Sequence, residues 1–235
     1  MNKAIYIATG EPESGKSLIT LGLLRIILGR TKRVGYFRPI IENVIKGQKD
    51  NHIETVLSHF NLDMSYEDCY ALTVHEVIQK KIDDKEEEIV DIIFKKYKEL
   101  EERFDFILLE GTDFSGEAAF VELDLNAIIA KNLGTPVILV GTGKGKTDEE
   151  LVSNLHLAYD SFVEKEVQVL GVIANKVESK DLSKMEEAIS EKLSDEIFVA
   201  AIPLINSLFN PTIKEIVNDI GAELVLGEDQ VNNQV

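Results

Sequence analysis

The sequence predicts an α/β domain, a mainly parallel sheet with helices on both faces. Three observations lead there. Short apolar runs alternate with amphipathic stretches along the whole 235-residue chain, the pattern of repeated strand–helix units. The first run, residues 4–8, opens into Gly10–Glu11–Pro12–Glu13–Ser14–Gly15–Lys16–Ser17, the spacing G-x-x-x-x-G-K-[ST] of a phosphate-binding loop. A helical pattern starts at once after it, with Leu18, Leu21, Leu24, Ile27 and Leu28. Strand, loop and helix give the motif its context: glycines let backbone N–H groups converge on a phosphate, and the helix N-terminus favours negative charge.

The other elements follow in order. Residues 33–38 read as a second strand, which Pro39 is expected to end. The polar stretch 43–51 leads to a helix with apolar positions Ile53, Val56, Leu57 and Phe60. From 63 to 81 the pattern is irregular and predicts no element. A long helix is expected from about 83 to 103, acidic at its start and with Lys95, Lys96 and Lys98 nearer its end, as the macrodipole favours. Residues 104–109 form the third strand, with Glu110 and Gly111 at its C-terminal end, and a helix near 121–133 leads to a fourth strand at 136–140. The loop Gly141–Thr142–Gly143–Lys144–Gly145–Lys146 precedes Thr147-x-x-Glu150, a capping box for a helix that buries Leu151, Leu155, Ala158 and Phe162. A fifth strand, 167–174, ends at Asn175 and Lys176. Ser183-x-x-Glu186 and Thr212-x-x-Glu215 read as caps of two further helices, either side of a sixth strand at 197–201. A seventh short strand is expected at 223–226. With no linker, repeat or low-complexity segment, residues 1–229 are expected to form a single domain and 230–235 a frayed polar tail.

Composition narrows the function classes. At 44% hydrophobic residues there is material for a sizeable core, and no apolar run is long enough to span a bilayer. Met1–Asn2–Lys3 runs straight into the first strand, so no secretory signal is expected. Cys69 is the single cysteine, which excludes an internal disulfide and a cysteine-rich zinc site, and the expected location is cytoplasmic. Twenty-five basic against 42 acidic residues give a net charge of −17. That excludes a nucleic-acid surface from the expected partners, since phosphate backbones are met by clustered Lys and Arg. His52, His59, His75 and His156 show no metal-like spacing, and His52 is expected at the surface or half-buried.

In such sheets ligands bind beyond the C-terminal strand ends. That edge should gather Gly10, Gly15, Lys16, Ser17, Arg38, Asp50, Glu110, Lys144 and Asn175. Lys16 is expected to reach the terminal phosphates of a nucleotide, with the Ser17 hydroxyl and Glu110 holding Mg²⁺. Glu11 and Glu13 place two carboxylates in the same loop, where each would repel phosphate. Arg38 has two readings, contact with an anionic substrate or an ion pair with Asp50 or Glu110. Lys144 and Lys146 suggest a second anion loop, although a flexible turn explains their glycines equally well. Asn175 either reads an adenine edge or caps the turn.

Several stretches together resemble a family. Residues 8–17, Tyr36–Phe37–Arg38–Pro39–Ile40, Gly47–Gln48–Lys49–Asp50–Asn51 and Leu109–Glu110–Gly111 are similar to dethiobiotin synthetase-type P-loop domains. Residues 141–147, 171–176, Asn210–Pro211–Thr212-x-x-Glu215–Ile216 and 221–227 resemble the N-terminal domain of long bacterial phosphate acetyltransferases. The resemblance implies a P-loop NTPase-like fold with strand order 2-3-1-4-5 plus edge strands. It also implies a longer parent polypeptide whose later domains move acetyl between coenzyme A and phosphate. Homo-oligomerisation and a nucleotide or small-molecule effector are further implications. In dethiobiotin synthetases the positions matching Lys16, Ser17, Asp50 and Glu110 handle phosphates and Mg²⁺, and the one matching Asn175 faces adenine. The position matching Arg38 is a lysine that works on the substrate carbamate; a guanidinium does not substitute freely there. A regulatory or assembly domain of a phosphate acetyltransferase is therefore the first expectation. An ATP- and Mg²⁺-dependent ligase of the dethiobiotin synthetase type and a nucleotide-dependent scaffold or partner protein are the alternatives.

Overall fold

The structure, a computed structural model, describes residues 3–42, 49–112, 119–205, 212–219 and 221–233, without the side chains of 119–122, 215, 218, 219 and 228. Gly47, Gln48, Asn210 and Pro211, the Glu215 carboxylate, and residues 234–235 of the tail lie outside them. Among the described residues the strands are β1 (Ala4–Thr9), β2 (Val34–Ile41), β3 (Tyr70–Thr73), β4 (Phe106–Glu110), β5 (Val137–Thr142), β6 (Val169–Val177) and β7 (Phe198–Pro203). They form one sheet in the order β3-β2-β4-β1-β5-β6-β7, every pair parallel. The expected order 2-3-1-4-5 is the run β2-β4-β1-β5-β6, extended by β3 at one edge and β7 at the other.

The helices are α1 (Lys16–Leu28), α2 (Asn51–Phe60), α3 (Val74–Ile82), α4 (Glu86–Arg103), α5 (Ala119–Leu133), α6 (Asp148–Glu164), α7 (Leu182–Ser190) and α8 (Ile213–Asp219). Side chains alternate across a strand, so neighbouring residues feed different cores. Ile7 and Leu108 join Ile19 and Leu24 of α1 and Ile53 and Val56 of α2 on one face. Tyr6, Ala8, Ile107 and Leu109 join Ile93 of α4, Ala130 of α5 and Phe162 of α6 on the other. Covered on both sides, the central strands are apolar at nearly every position, as parallel sheets are.

Several expectations are corrected. Pro39 lies inside β2 rather than ending it. Val34 to Phe37 pair with β4, whereas Arg38, Ile40 and Ile41 pair with β3. Pro39 thus falls where pairing to β4 has stopped and no N–H is required on that side. The irregular stretch 63–81 holds a 3-10 turn (Tyr66–Cys69), β3 and α3. Two capping boxes start the turn and the helix, Ser65 with Asp68 and Thr73 with Glu76. The turn and β3, four residues each, are too short for hydrophobic periodicity to show. The cap of α7 is Asp181, which accepts from Lys184 N at 3.2 Å, not Ser183. Glu186 instead accepts from Ala201 N at 2.9 Å and ties α7 to β7. No strand forms at 223–226, where Val225 and Leu226 are exposed and left-handed Gly221 and Gly227 flank the segment. At the tail, Ile213 N and Lys214 N donate to the Asn233 and Val231 carbonyls at the start of α8. The capping box Thr147–Glu150 forms as expected.

For the site, one register matters. Ile7 of β1 stands opposite Glu110 of β4, so the end of β4 lies beside the start of the glycine loop.

Candidate functional site at the phosphate loop

The loop between β1 and α1 is braced from the far side of the sheet. Gly15 has φ +78°, and a Cβ on it would stand 2.3 Å from Asn175 Nδ2. Glycine is required there by backbone conformation and by space together. Asn175, at the end of β6, donates through Nδ2 to the Ser14 carbonyl at 2.8 Å. It therefore braces the loop through Nδ2. Lys176 adds a second brace, Nζ to the Glu13 carbonyl at 2.5 Å, and burial with the neighbouring Lys144 charge lowers its pKa. Lys144 is itself exposed in the β5–α6 loop, and Gly10 is exposed at the loop's start.

Glu11 corrects the sequence reading. Its carboxylate accepts from Thr142 N at 2.8 Å and pairs with Lys146 Nζ. Its charge is matched within the β5–α6 loop instead of facing a phosphate. Lys146 is spent on that pair. Glu13 is exposed and left-handed at φ 53°.

Lys16 is fully buried and its Nζ donates to the Gly111 carbonyl. The backbone beyond Gly111 is fixed by Asn126 of α5, whose Oδ1 accepts from Tyr6 OH at 2.7 Å and from Thr112 N at 3.2 Å. A Cβ at Gly111 would meet Asn126 Oδ1 at 2.5 Å, so this glycine too answers a close approach.

Four side chains converge on Glu110, which is 1% exposed. Tyr36 OH donates to Oε2 at 2.8 Å, and Ser17 Oγ donates to Oε1 at 3.2 Å. His52 Nδ1 lies 3.0 Å from Oε1 and 2.6 Å from Ser17 Oγ. Arg38 Nη1 stands 3.5 Å from Glu110 Oε1 and 3.7 Å from Asp50 Oδ1. Burial alone would push the Glu110 carboxyl up; the His52 hydrogen bond and the Arg38 and Lys16 charges outweigh it and hold the group well below the usual carboxylate range. Burial, then the Glu110 charge, pushes the Tyr36 phenol well above its ordinary value. Of the two readings of Arg38, the geometry is that of the buried ion pair.

Asp50 meets the cluster through Arg38. Its Oδ1 also accepts from Ile53 N at 3.0 Å as the N-cap of α2, and its own N–H donates to Tyr66 OH at 2.7 Å. Lys16, Ser17, Arg38, Asp50 and Glu110 are thus brought together, with Asn175 behind the loop and Gly10 and Lys144 at the rim. Sequence reasoning missed His52, Tyr36 and Asn126. The Asp50 cap carried a signal for His52, because it directs the first turn of α2 to the same sheet edge.

The donor set fits a divalent cation. Ser17 Oγ and Glu110 Oε1, 3.2 Å apart, are a hydroxyl and an ionised carboxylate at a spacing one ion can bridge. Among the described residues no group of three or more His, Cys, Asp or Glu side chains is arranged to hold a metal. No helix of the described residues is long and apolar enough to cross a membrane.

Comparison with known proteins follows this geometry. The AAA domain family matches residues 3–212. A phosphate acetyltransferase of Synechocystis sp. is 36% identical over 236 residues, covering 100% of this chain and 34% of that protein. The phosphate acetyltransferase of Nitratidesulfovibrio vulgaris is 34% identical, with 100% and 34% covered. The chain therefore spans about a third of the length of these relatives. An ATP-dependent dethiobiotin synthetase of Clostridium perfringens is 23% identical, covering 92% of this chain and 97% of the synthetase. A solved structure from Borrelia burgdorferi, described as a plasmid partition protein bound to AMPPNP, shares the fold with a TM-score of 0.52 at 17% identity, covering 97% of this chain and 93% of that one.

Proposed function

We propose a function on the premise that this chain belongs to the AAA domain family. It serves as the N-terminal regulatory or assembly domain of a phosphate acetyltransferase, with acetyl transfer carried by other domains of the parent polypeptide. At the phosphate loop it binds an adenine nucleotide with a divalent cation, as an effector rather than a substrate, and it self-associates. Similarity over the whole chain to a third of two phosphate acetyltransferases supports the parent.

The observation that carries the non-catalytic reading is Arg38. In the dethiobiotin synthetases that the chain resembles, the matching position is a lysine that engages the substrate, and a guanidinium does not substitute freely for it. Here the guanidinium is 3% exposed and set between Glu110 and Asp50. The groups that would act on a nucleotide are Lys16, which exchanges the Gly111 carbonyl for a phosphate oxygen, and the N–H groups of the loop that Asn175 braces. Ser17 and Glu110 would hold the cation, with Asp50 behind them on Arg38. A bound divalent ion supplies positive charge to the phosphates.

The test incubates the protein with ATP and Mg²⁺, first alone and then with bicarbonate and the diamine substrate of dethiobiotin synthetase. Binding without a ligase product is expected. Turnover to dethiobiotin would overturn the effector reading in favour of the ligase, which the similarity along nearly the whole Clostridium enzyme keeps as the second reading.

A further inference from the structure

We infer that His52 sets the cation selectivity of this site, making the position beside Ser17 and Glu110 favour a divalent ion that accepts a nitrogen ligand, such as Co²⁺, over Mg²⁺. The inference rests on the nucleotide-site reading above. Its basis is a triangle of contacts: Ser17 Oγ to Glu110 Oε1 at 3.2 Å, His52 Nδ1 to Ser17 Oγ at 2.6 Å, and His52 Nδ1 to Glu110 Oε1 at 3.0 Å. An ion bonded to both oxygens at about 2.0–2.1 Å lies on a ring about 1.3 Å from their midpoint, and the arc of that ring facing the imidazole is within ligand distance of Nδ1. On that arc an ion takes Nδ1 as a ligand or drives the ring away.

The ring does not move without loss. His52 sits in the first turn of α2, behind the Asp50 cap, which is fixed by Ile53 N, Tyr66 OH and Arg38. Displacing the imidazole removes its contacts with Ser17 and Glu110 together. Mg²⁺ demands oxygen ligands in near-octahedral order and keeps its waters, so it falls under this penalty. Later first-row ions accept imidazole readily and avoid it. Access is open: the His52 side chain is 34% exposed and faces a cavity of about 210 Å³ lined also by Ser17, Leu21, Asn51 and Glu110. The Arg38 charge, 3.5 Å from Glu110, opposes a bare cation, so selectivity is to be read with a phosphate donor present.

The experiment titrates the full chain, in saturating ADP, with Co²⁺ and with Mg²⁺ by calorimetry. ADP alone serves as the reference, and the visible d–d bands of Co²⁺ are followed in parallel. The wild type should prefer Co²⁺ by more than ADP does alone. His52→Asn should cut that preference about tenfold or more and shift the Co²⁺ bands towards an all-oxygen pattern. His52→Gln is measured alongside in case the first variant unfolds. An unchanged preference and unchanged bands in a folded variant overturn the role of His52 and leave the nucleotide site standing. Failure of ADP to bind with either ion overturns the nucleotide reading and this inference with it.

Discussion

Replacing Glu110 with glutamine tests whether the buried cluster is a desolvated ion-pair network. Its Oε2 accepts from Tyr36 at 2.8 Å, while Ser17, His52 and Arg38 meet Oε1 at 3.2, 3.0 and 3.5 Å. An amide keeps one acceptor oxygen and puts two donors where the other was. With that oxygen turned to Arg38, Tyr36 loses a charge-assisted bond worth about 1.5–3 kcal/mol. Arg38 loses the nearer of its two carboxylates, and one-sided removal of a buried partner costs about 3–5 kcal/mol. The two losses share partners and do not add, and Asp50 remains 3.7 Å from Arg38. Glu110→Gln should therefore destabilise the protein by about 3 kcal/mol, read as a lower urea midpoint at pH 7 with unchanged slope. The folded carboxyl lies below its unfolded value, so its contribution is present above the ordinary carboxylate range and is lost only as pH falls through the depressed value. The deficit should thus persist from neutral pH into acid. As a control, Asp105→Asn, which breaks an exposed pair with Arg33, should leave the midpoint unchanged. A loss for Glu110→Gln below about 1 kcal/mol, the size of a surface pair, would refute the network.

Cys69 is buried, and burial, with a smaller push from Asp68, raises its thiol to about 12. It should label with a thiol reagent only at the rate of unfolding, and its stabilising contribution, full below the unfolded thiol value, should fade as pH rises towards 12. Glu13→Gln should tighten nucleotide binding by removing an exposed like charge, whereas Glu11→Gln should weaken it by releasing Lys146 and Thr142 from the loop. Calorimetry that finds both variants tighter would restore the simple repulsion expected from the sequence.

The sheet was legible because each central strand is short, apolar and followed by a helix signal, and the register of Glu110 beside β1 follows from that order. The phosphate loop with Lys16 and Ser17 was legible because the motif fixes their spacing, and Glu110 because it ends an apolar strand run. What stayed hidden depends on contacts between residues far apart in the chain. His52 and Glu110 are 58 positions apart, and Tyr6 and Asn126 are 120 apart. The charges of the loop misled for the same reason: Glu11 is answered by Lys146, 135 residues later. At the edge, β3 pairs over only three positions of β2, too few for alternation to stand out.

The proposed function depends on nucleotide binding at the phosphate loop. Calorimetry with ATP and Mg²⁺ on the wild type and on Lys16→Ala tests it most directly. Weak binding to the wild type and none to the variant is expected, because Lys16 is buried at the end of the loop and would trade the Gly111 carbonyl for a phosphate. Equal binding to both proteins would place the ligand elsewhere, and absence of binding to the wild type would make the loop a strand-to-helix connector.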